Sequence, residues 1–238
     1  MLYSHAHRLA FAHYPKTAGS AISFWFRRTF PDAVEVQPAQ PHIDVRRALG
    51  YLTGSAPWAP FGRRSRRGPA PATAWSDDPL SAHRVRVVGV VRAPLEMLVS
   101  LFEFWRRLET HPAPGNRLIT TARTGTFRQF VELAICRRRL PNYASFYDVG
   151  GPAWSRTRLV HFGAVEAGLQ HVLDEFGIPV RVRLERRNTA PIERWPLADY
   201  QREVGPIMPE VHRRFAWYYR NEPLFTSGVT GGDAARAA

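Results

Sequence analysis

His13-Tyr14-Pro15-Lys16-Thr17-Ala18-Gly19-Ser20-Ala21 stands between an apolar run, Leu9-Ala10-Phe11-Ala12, and a segment from Ala18 to Phe30 with helical periodicity. The first reads as a short buried strand and the second as an amphipathic helix, so the stretch between them is a tight strand-to-helix turn. Such a turn aims free backbone N–H groups and the positive end of a helix at one point, which favours an anion. Thr17 and Ser20 add hydroxyl donors, Gly19 allows a ligand close to the backbone, and Lys16 adds a full positive charge. Lys16 is the only lysine of the chain, and the other thirty-two basic side chains are arginine. A lysine presents a compact charge with rotatable donors, suited to an oxygen whose position changes during a reaction. The Walker A pattern cannot be laid over the stretch.

Working outward, 238 residues with 45% hydrophobic and 12% aromatic side chains suit one large α/β domain, here residues 1–226, followed by a flexible tail at 227–238. A single cysteine, Cys136, excludes an internal disulfide framework and a cysteine-ligated zinc site. No apolar run is long enough for a signal peptide or a bilayer span, and the expected location is the cytoplasm. A net charge of +13 points to a polyanionic partner, either nucleic acid or an anionic cofactor and acceptor. Arginines cluster at Arg63-Arg64 with Arg66-Arg67, at 137–139 and at Arg186-Arg187, but none of these matches a nucleic-acid-binding motif.

In the helix after the turn, Ala18, Ile22, Trp25, Phe26 and Thr29 share one stripe, with Arg27 and Arg28 off it. Val34-Glu35-Val36 reads as a short strand, and residues 42–50 as a short helix closed by Gly50. Residues 55–82 hold no period of either kind and read as a loop-rich insertion or mobile lid. Arg84 to Val91 is a β-branched run suited to a central parallel strand buried on both faces. Pro94 then opens a helix in which Leu95, Leu98, Val99 and Phe102 share a face, with Ser100 roughly 140° from its middle. Arg92, at the carboxyl end of a central strand and beside this helix start, forms with Ser100 a second candidate phosphate site.

These two stretches together resemble the sulfotransferases that use 3′-phosphoadenosine 5′-phosphosulfate (PAPS). The first is similar to the Pro-Lys-Thr-x-Gly-Ser/Thr loop that binds the 5′-phosphosulfate in that family. The second is similar to the Arg-Asp-Pro-x-x-x-x-x-Ser-x-Tyr motif that grips the 3′-phosphate, matching at Arg92, Pro94 and Ser100. Ala93, Met97 and Phe102 depart from the family's aspartate, frequent second arginine and tyrosine. Further on, 158–166 is similar to a late family strand ending in Gly-x-x-Glu, followed by a helix marked by Leu169, Val172, Leu173 and Phe176 and ended by Gly177. A short strand at 180–184 then leads to Asn188.

The resemblance implies a P-loop-like mononucleotide-binding α/β fold with a central parallel sheet flanked by helices. It implies a sulfuryl transfer from PAPS to an acceptor hydroxyl on a glycan or small natural product, without a metal. Lys16 would meet the charge on the bridging oxygen. Backbone N–H groups from Thr17, Ala18, Gly19, Ser20 and Ala21, with the Thr17 and Ser20 hydroxyls, would hold the 5′ end, and Arg92 with Ser100 the 3′-phosphate. For the proton of the acceptor, His13, His42, His83, His111 and His161 are available, and His42 is assigned as the base because it follows the first helix outside both phosphate motifs. Two other readings stand beside this one. One is an arginine-rich nucleic-acid-binding protein, and the other a small-molecule or nucleoside kinase with an atypical phosphate loop.

Elsewhere, Thr126-Phe127-Arg128-Gln129 reads as a capping box, and Val211, Phe215, Tyr218 and Tyr219 as a last packed helix.

Overall fold

A computed structural model describes residues 1–37, 42–52, 84–109, 115–185, 196–225 and 229–231. The insertion at 55–82, His83, His111 and Asn188 lie outside the described residues. The strands are β1 (Leu2–Ser4), β2 (Leu9–Ala12), β3 (Val34–Glu35), β4 (Arg86–Val91), β5 (Thr157–His161) and β6 (Val229–Gly231), in the sheet order β3-β1-β2-β4-β5-β6. The helices are α1 (Gly19–Thr29), α2 (Val45–Leu52), α3 (Pro94–Arg106), α4 (Arg117–Thr124), α5 (Phe127–Val131), α6 (Tyr143–Phe146), α7 (Val165–Glu175), α8 (Leu197–Val204), α9 (Met208–Arg214) and α10 (Ala216–Phe225).

The chain is therefore α/β, but the sheet is mixed. Among the described residues only β2, β4 and β5 run parallel, with Ala12 opposite Gly89 and Val91 opposite His161. β1 pairs antiparallel with both β2 and β3, and β6 pairs antiparallel with β5. The expected central parallel sheet is thus three strands wide, with antiparallel strands at both edges. β1 escaped notice because it is three residues long and its turn, His5 to Arg8, carries no glycine or asparagine. Arg8 itself takes the positive φ of 47°.

Alternation along the strands sends side chains to two cores. Leu9 and Phe11 of β2 and Val88 and Val90 of β4 meet Ile22, Trp25 and Phe26 of α1 and Leu169, Val172 and Leu173 of α7. Ala10 and Ala12, with Val87 and Val91, meet Leu95, Met97, Leu98 and Phe102 of α3 together with α4–α6 and α8–α10. β4 is buried on both faces, as its unbroken β-branched run requires. The helix after β2 therefore covers one face, and the helix after β4 covers the other. Where connections from adjacent parallel strands diverge in this way, a crevice opens outside their carboxyl ends.

Four local readings change. α2 continues through Gly50 to Leu52. Residues 180–184 form no strand, because the Val182 and Leu184 N–H groups donate to the Gln170 and Glu166 side chains of α7. The last packed helix is two, α9 and α10, broken at Phe215. Within the expected tail from 227, Val229–Gly231 form the edge strand β6. The capping box is formed as read, with Thr126 Oγ1 accepting from Gln129 N and Gln129 Oε1 from Thr126 N.

Candidate functional site

The loop leaving β2 forms one wall of the crevice. Lys16 and Ala18 both adopt left-handed backbone, with φ of 60° and 61°. Neither is glycine, so each costs on the order of 1–3 kcal/mol unless its surroundings fix it, and such strain concentrates at binding sites. Left-handed residues on both sides of Thr17 make a tight turn, and turns with left-handed residues are a backbone form that can present consecutive N–H groups to an anion. Ala18 is the N-cap of α1 and provides no side-chain cap, and the first turn contains no acidic residue. The amino end of α1 is consequently left electropositive at the mouth of the loop.

Two of the predicted loop contacts are used differently. The Thr17 hydroxyl donates to the Tyr14 carbonyl at 2.9 Å, and Thr17 is fully buried. It closes the turn and leaves the donor role to backbone N–H groups. Gly19 is required by a side chain: a Cβ there would lie 1.6 Å from His13 Nε2. Gly19 thus makes room for the His13 ring. Ser20 is exposed at the start of α1, and Ala18 and Ala21 are partly exposed beside it.

Lys16 extends toward α3, its Nζ lying 4.1 Å from the centre of the exposed Phe104 ring. His42 packs on the same loop. Its Nδ1 lies 2.9 Å from the His13 carbonyl, and the two rings meet edge to face at 4.5 Å. A carbonyl only accepts, so Nδ1 carries the proton and the neutral ring keeps its lone pair on Nε2. Desolvation, with Lys16 nearby, lowers the pKa of His42 below its usual 6.5. His13 is pushed down to about 3 by burial, His42 and Lys16, and is neutral across the physiological range. The structure thus gathers Lys16, Thr17, Ala18, Gly19, Ser20, Ala21 and His42 on one wall.

The loop leaving β4 forms the other wall. Arg92 is 7% exposed. Its Nε donates to Glu96 at 3.3 Å, one turn on in α3, and its guanidinium lies 4.3 Å from the centre of the Phe162 ring. Ser100, buried at 8% exposure, follows Glu96 by four residues and precedes Phe104 by four. All three therefore lie on one row of α3 that leads from Arg92 toward Lys16. Among the described residues the Ser100 hydroxyl forms no hydrogen bond, and it is the spare donor of this wall. Met97 and Phe102 are buried in the core, which explains why neither is a polar ligand group here.

A tyrosine scaffold that the sequence reading missed joins the walls. The Tyr143 hydroxyl of α6 donates to Arg92 O at 2.7 Å and accepts from Arg92 N at 3.3 Å. Tyr147 donates to Val90 O at 2.7 Å, and a Cβ at Gly89 would lie 2.3 Å from its ring. Tyr14, from the other loop, donates to Pro141 O at 2.5 Å and packs 4.7 Å from Tyr143. Burial raises the pKa of all three, so each remains a donor. Asn142 as an N-cap with aromatics at 143, 146 and 147 was the available signal.

A cavity of about 650 Å³ lies elsewhere, between Phe24, Trp25 and Arg28 of α1 and Arg181, Arg183, Leu184 and Glu185. Ser20, Phe24 and Arg28 share an i, i+4 row, so it begins one turn along α1 from the loop. Among the described residues, no cluster of histidine, cysteine, aspartate or glutamate could hold a metal ion, and no helix is long and apolar enough to cross a membrane. No protein-family model, curated protein or solved structure matches the chain.

Proposed function

We propose that the chain is a sulfotransferase of P-loop-like fold that binds PAPS across the crevice between β2 and β4 and transfers its sulfuryl group to an acceptor hydroxyl. The observation that carries this reading is the placement of two cationic loops, one bearing Lys16 and one bearing Arg92, at the ends of adjacent parallel strands whose helices diverge. The two phosphate-bearing ends of one nucleotide suit such a pair.

In this reading the N–H groups of the turn and the amino end of α1 hold the 5′-phosphosulfate. Arg92 and Ser100 hold the 3′-phosphate, which separates this donor from ordinary adenine nucleotides. The acceptor oxygen attacks sulfur as the bond from sulfur to the bridging oxygen breaks, leaving 3′-phosphoadenosine 5′-phosphate. Lys16 meets the negative charge growing on that bridging oxygen. His42 Nε2 takes the acceptor proton, its ring being held in the required tautomer by the His13 carbonyl. The groups need only be aligned and their charges met, as in phosphoryl transfer.

The test is thermal stabilisation by 3′-phosphoadenosine 5′-phosphate against ADP and ATP at equal concentration. A ligand that binds only the folded chain raises its stability, and the 3′-phosphorylated nucleotide is expected to raise it most. Equal shifts from all three would favour a kinase-like site, and no shift would remove the nucleotide from the reading.

A further inference from the structure

A second basic cleft lies behind the tyrosine scaffold. It encloses about 200 Å³ and is lined by Asn142, Tyr143, Arg213, Arg214, Trp217 and Arg220, with no carboxylate on its walls. Arg214 donates to the Leu140 carbonyl at 2.9 Å, which brings the exposed Arg138 of the preceding loop close to it. Burial and the neighbouring Arg138 both depress the pKa of Arg214, an arginine held close to a like charge. Its Nε is buried and has no hydrogen-bond partner among the described residues. At the rim, Arg213 pairs with Glu210 one turn earlier in α9, an exposed contact that a bound anion would compete with.

Such crowding of guanidinium groups without a buried counter-charge is unfavourable in the empty protein and is relieved by an anion. A water takes about 30 Å³ of liquid, so the cleft accommodates one tetrahedral oxyanion and a few waters but nothing as large as a nucleotide. Arginine forks match the oxygens of such a group in pairs.

We infer that this cleft is a binding site for a single phosphate or sulfate group, recognised by Arg213, Arg214 and Arg220 and separate from the crevice at Lys16 and Arg92. It does not depend on the sulfotransferase reading.

The experiment compares the melting temperature in sodium sulfate, sodium phosphate and sodium chloride at matched ionic strength, for the parent, Lys16→Ala, and the double variant Arg213→Gln with Arg220→Gln. Arg214 is left in place because it ties down Leu140, whereas Arg213 and Arg220 are exposed. Sulfate or phosphate is expected to raise the parent's melting temperature over chloride, on the order of 3–6 °C at ten times the dissociation constant. Lys16→Ala should keep that rise, and the double variant should lose it. Methyl phosphate added as a fourth salt separates the sources: an equal rise assigns the site to an esterified group, and a smaller one to the free ion. No rise over chloride in the parent overturns the inference. So does a rise that survives in the double variant or disappears in Lys16→Ala, since the ion would then sit at the loop.

Discussion

The loop after β2 and the loop after β4 face one crevice but are built in opposite ways. The first is strained at Lys16 and Ala18 and leaves the amino end of α1 without a side-chain cap. The second is satisfied by the chain's own groups: Arg92 pairs with Glu96, covers Phe162, and has its backbone gripped by Tyr143. A site of this kind divides its tasks. In the proposed reading the strained wall is the one organised around the transferring group, and on the satisfied wall a phosphate would replace Glu96 as the partner of Arg92. Substitutions on the first wall should therefore act mainly on turnover, and those on the second mainly on affinity and selectivity.

Lys16→Ala gives the sharpest break in this contrast. The charge it meets is largest in the transition state, so turnover should fall about 10²- to 10³-fold while affinity for 3′-phosphoadenosine 5′-phosphate falls much less. Rates with an acceptor found by screening, set beside calorimetric affinities, measure the split. Equal losses would make Lys16 an ordinary binding residue.

His42 belongs to the same wall and should follow the same rule. If His42 is the proposed base, its neutral ring is the active form, and because its pKa is lowered, the rate should hold to below pH 6.5 before falling with further acid. His42→Ala should reduce transfer by about 10²-fold and remove that acid limb, leaving nucleotide affinity unchanged. A variant with parental rate and the same limb would place the base elsewhere.

On the other wall, Arg92→Ala removes a charge-assisted contact of about 1.5–3 kcal/mol. Affinity for 3′-phosphorylated nucleotides should fall by roughly 10- to 150-fold, with ADP nearly unaffected. Paired titrations decide it, since a parallel loss for both nucleotides would mean that Arg92 supports only the fold.

The contrast also explains what could be read from the sequence. The centre of the fold was legible because its signals are local: a four-residue apolar run, a β-branched run at 86–91, and Pro94 as the first residue of a helix. So were the positions of Lys16 and Arg92 at strand ends, whereas the packing of His42 on the His13 carbonyl was not. Side-chain use was not legible, because it depends on partners far along the chain. Nothing in the loop says that Thr17 turns back to Tyr14 or that His13 fills the space over Gly19. The grip of Tyr143 on Arg92 spans 51 residues of sequence. Likewise the antiparallel edges depend on pairings by strands of two or three residues, too short to carry a period.

The smallest expected effect tests how the satisfied wall is satisfied. Glu96 sits where an oxygen of a bound phosphate would compete for Arg92, at 3.3 Å from its Nε. Its side chain is 45% exposed, against 9% for Arg92, so the pair is weakly held from the Glu96 side. An exposed i, i+4 pair of this kind is worth at most about 1 kcal/mol. The carboxylate would also repel an arriving dianion. Glu96→Gln keeps the shape and a hydrogen-bond acceptor but removes the charge, so affinity for the 3′-phosphorylated nucleotide should rise by about two- to fivefold, with ADP unchanged. The gain should shrink as salt is added, because only the electrostatic part is screened. A loss of affinity would reverse the assignment: Glu96 would then hold Arg92 in position for the phosphate, and the second wall would be prepared for its ligand as fully as the first.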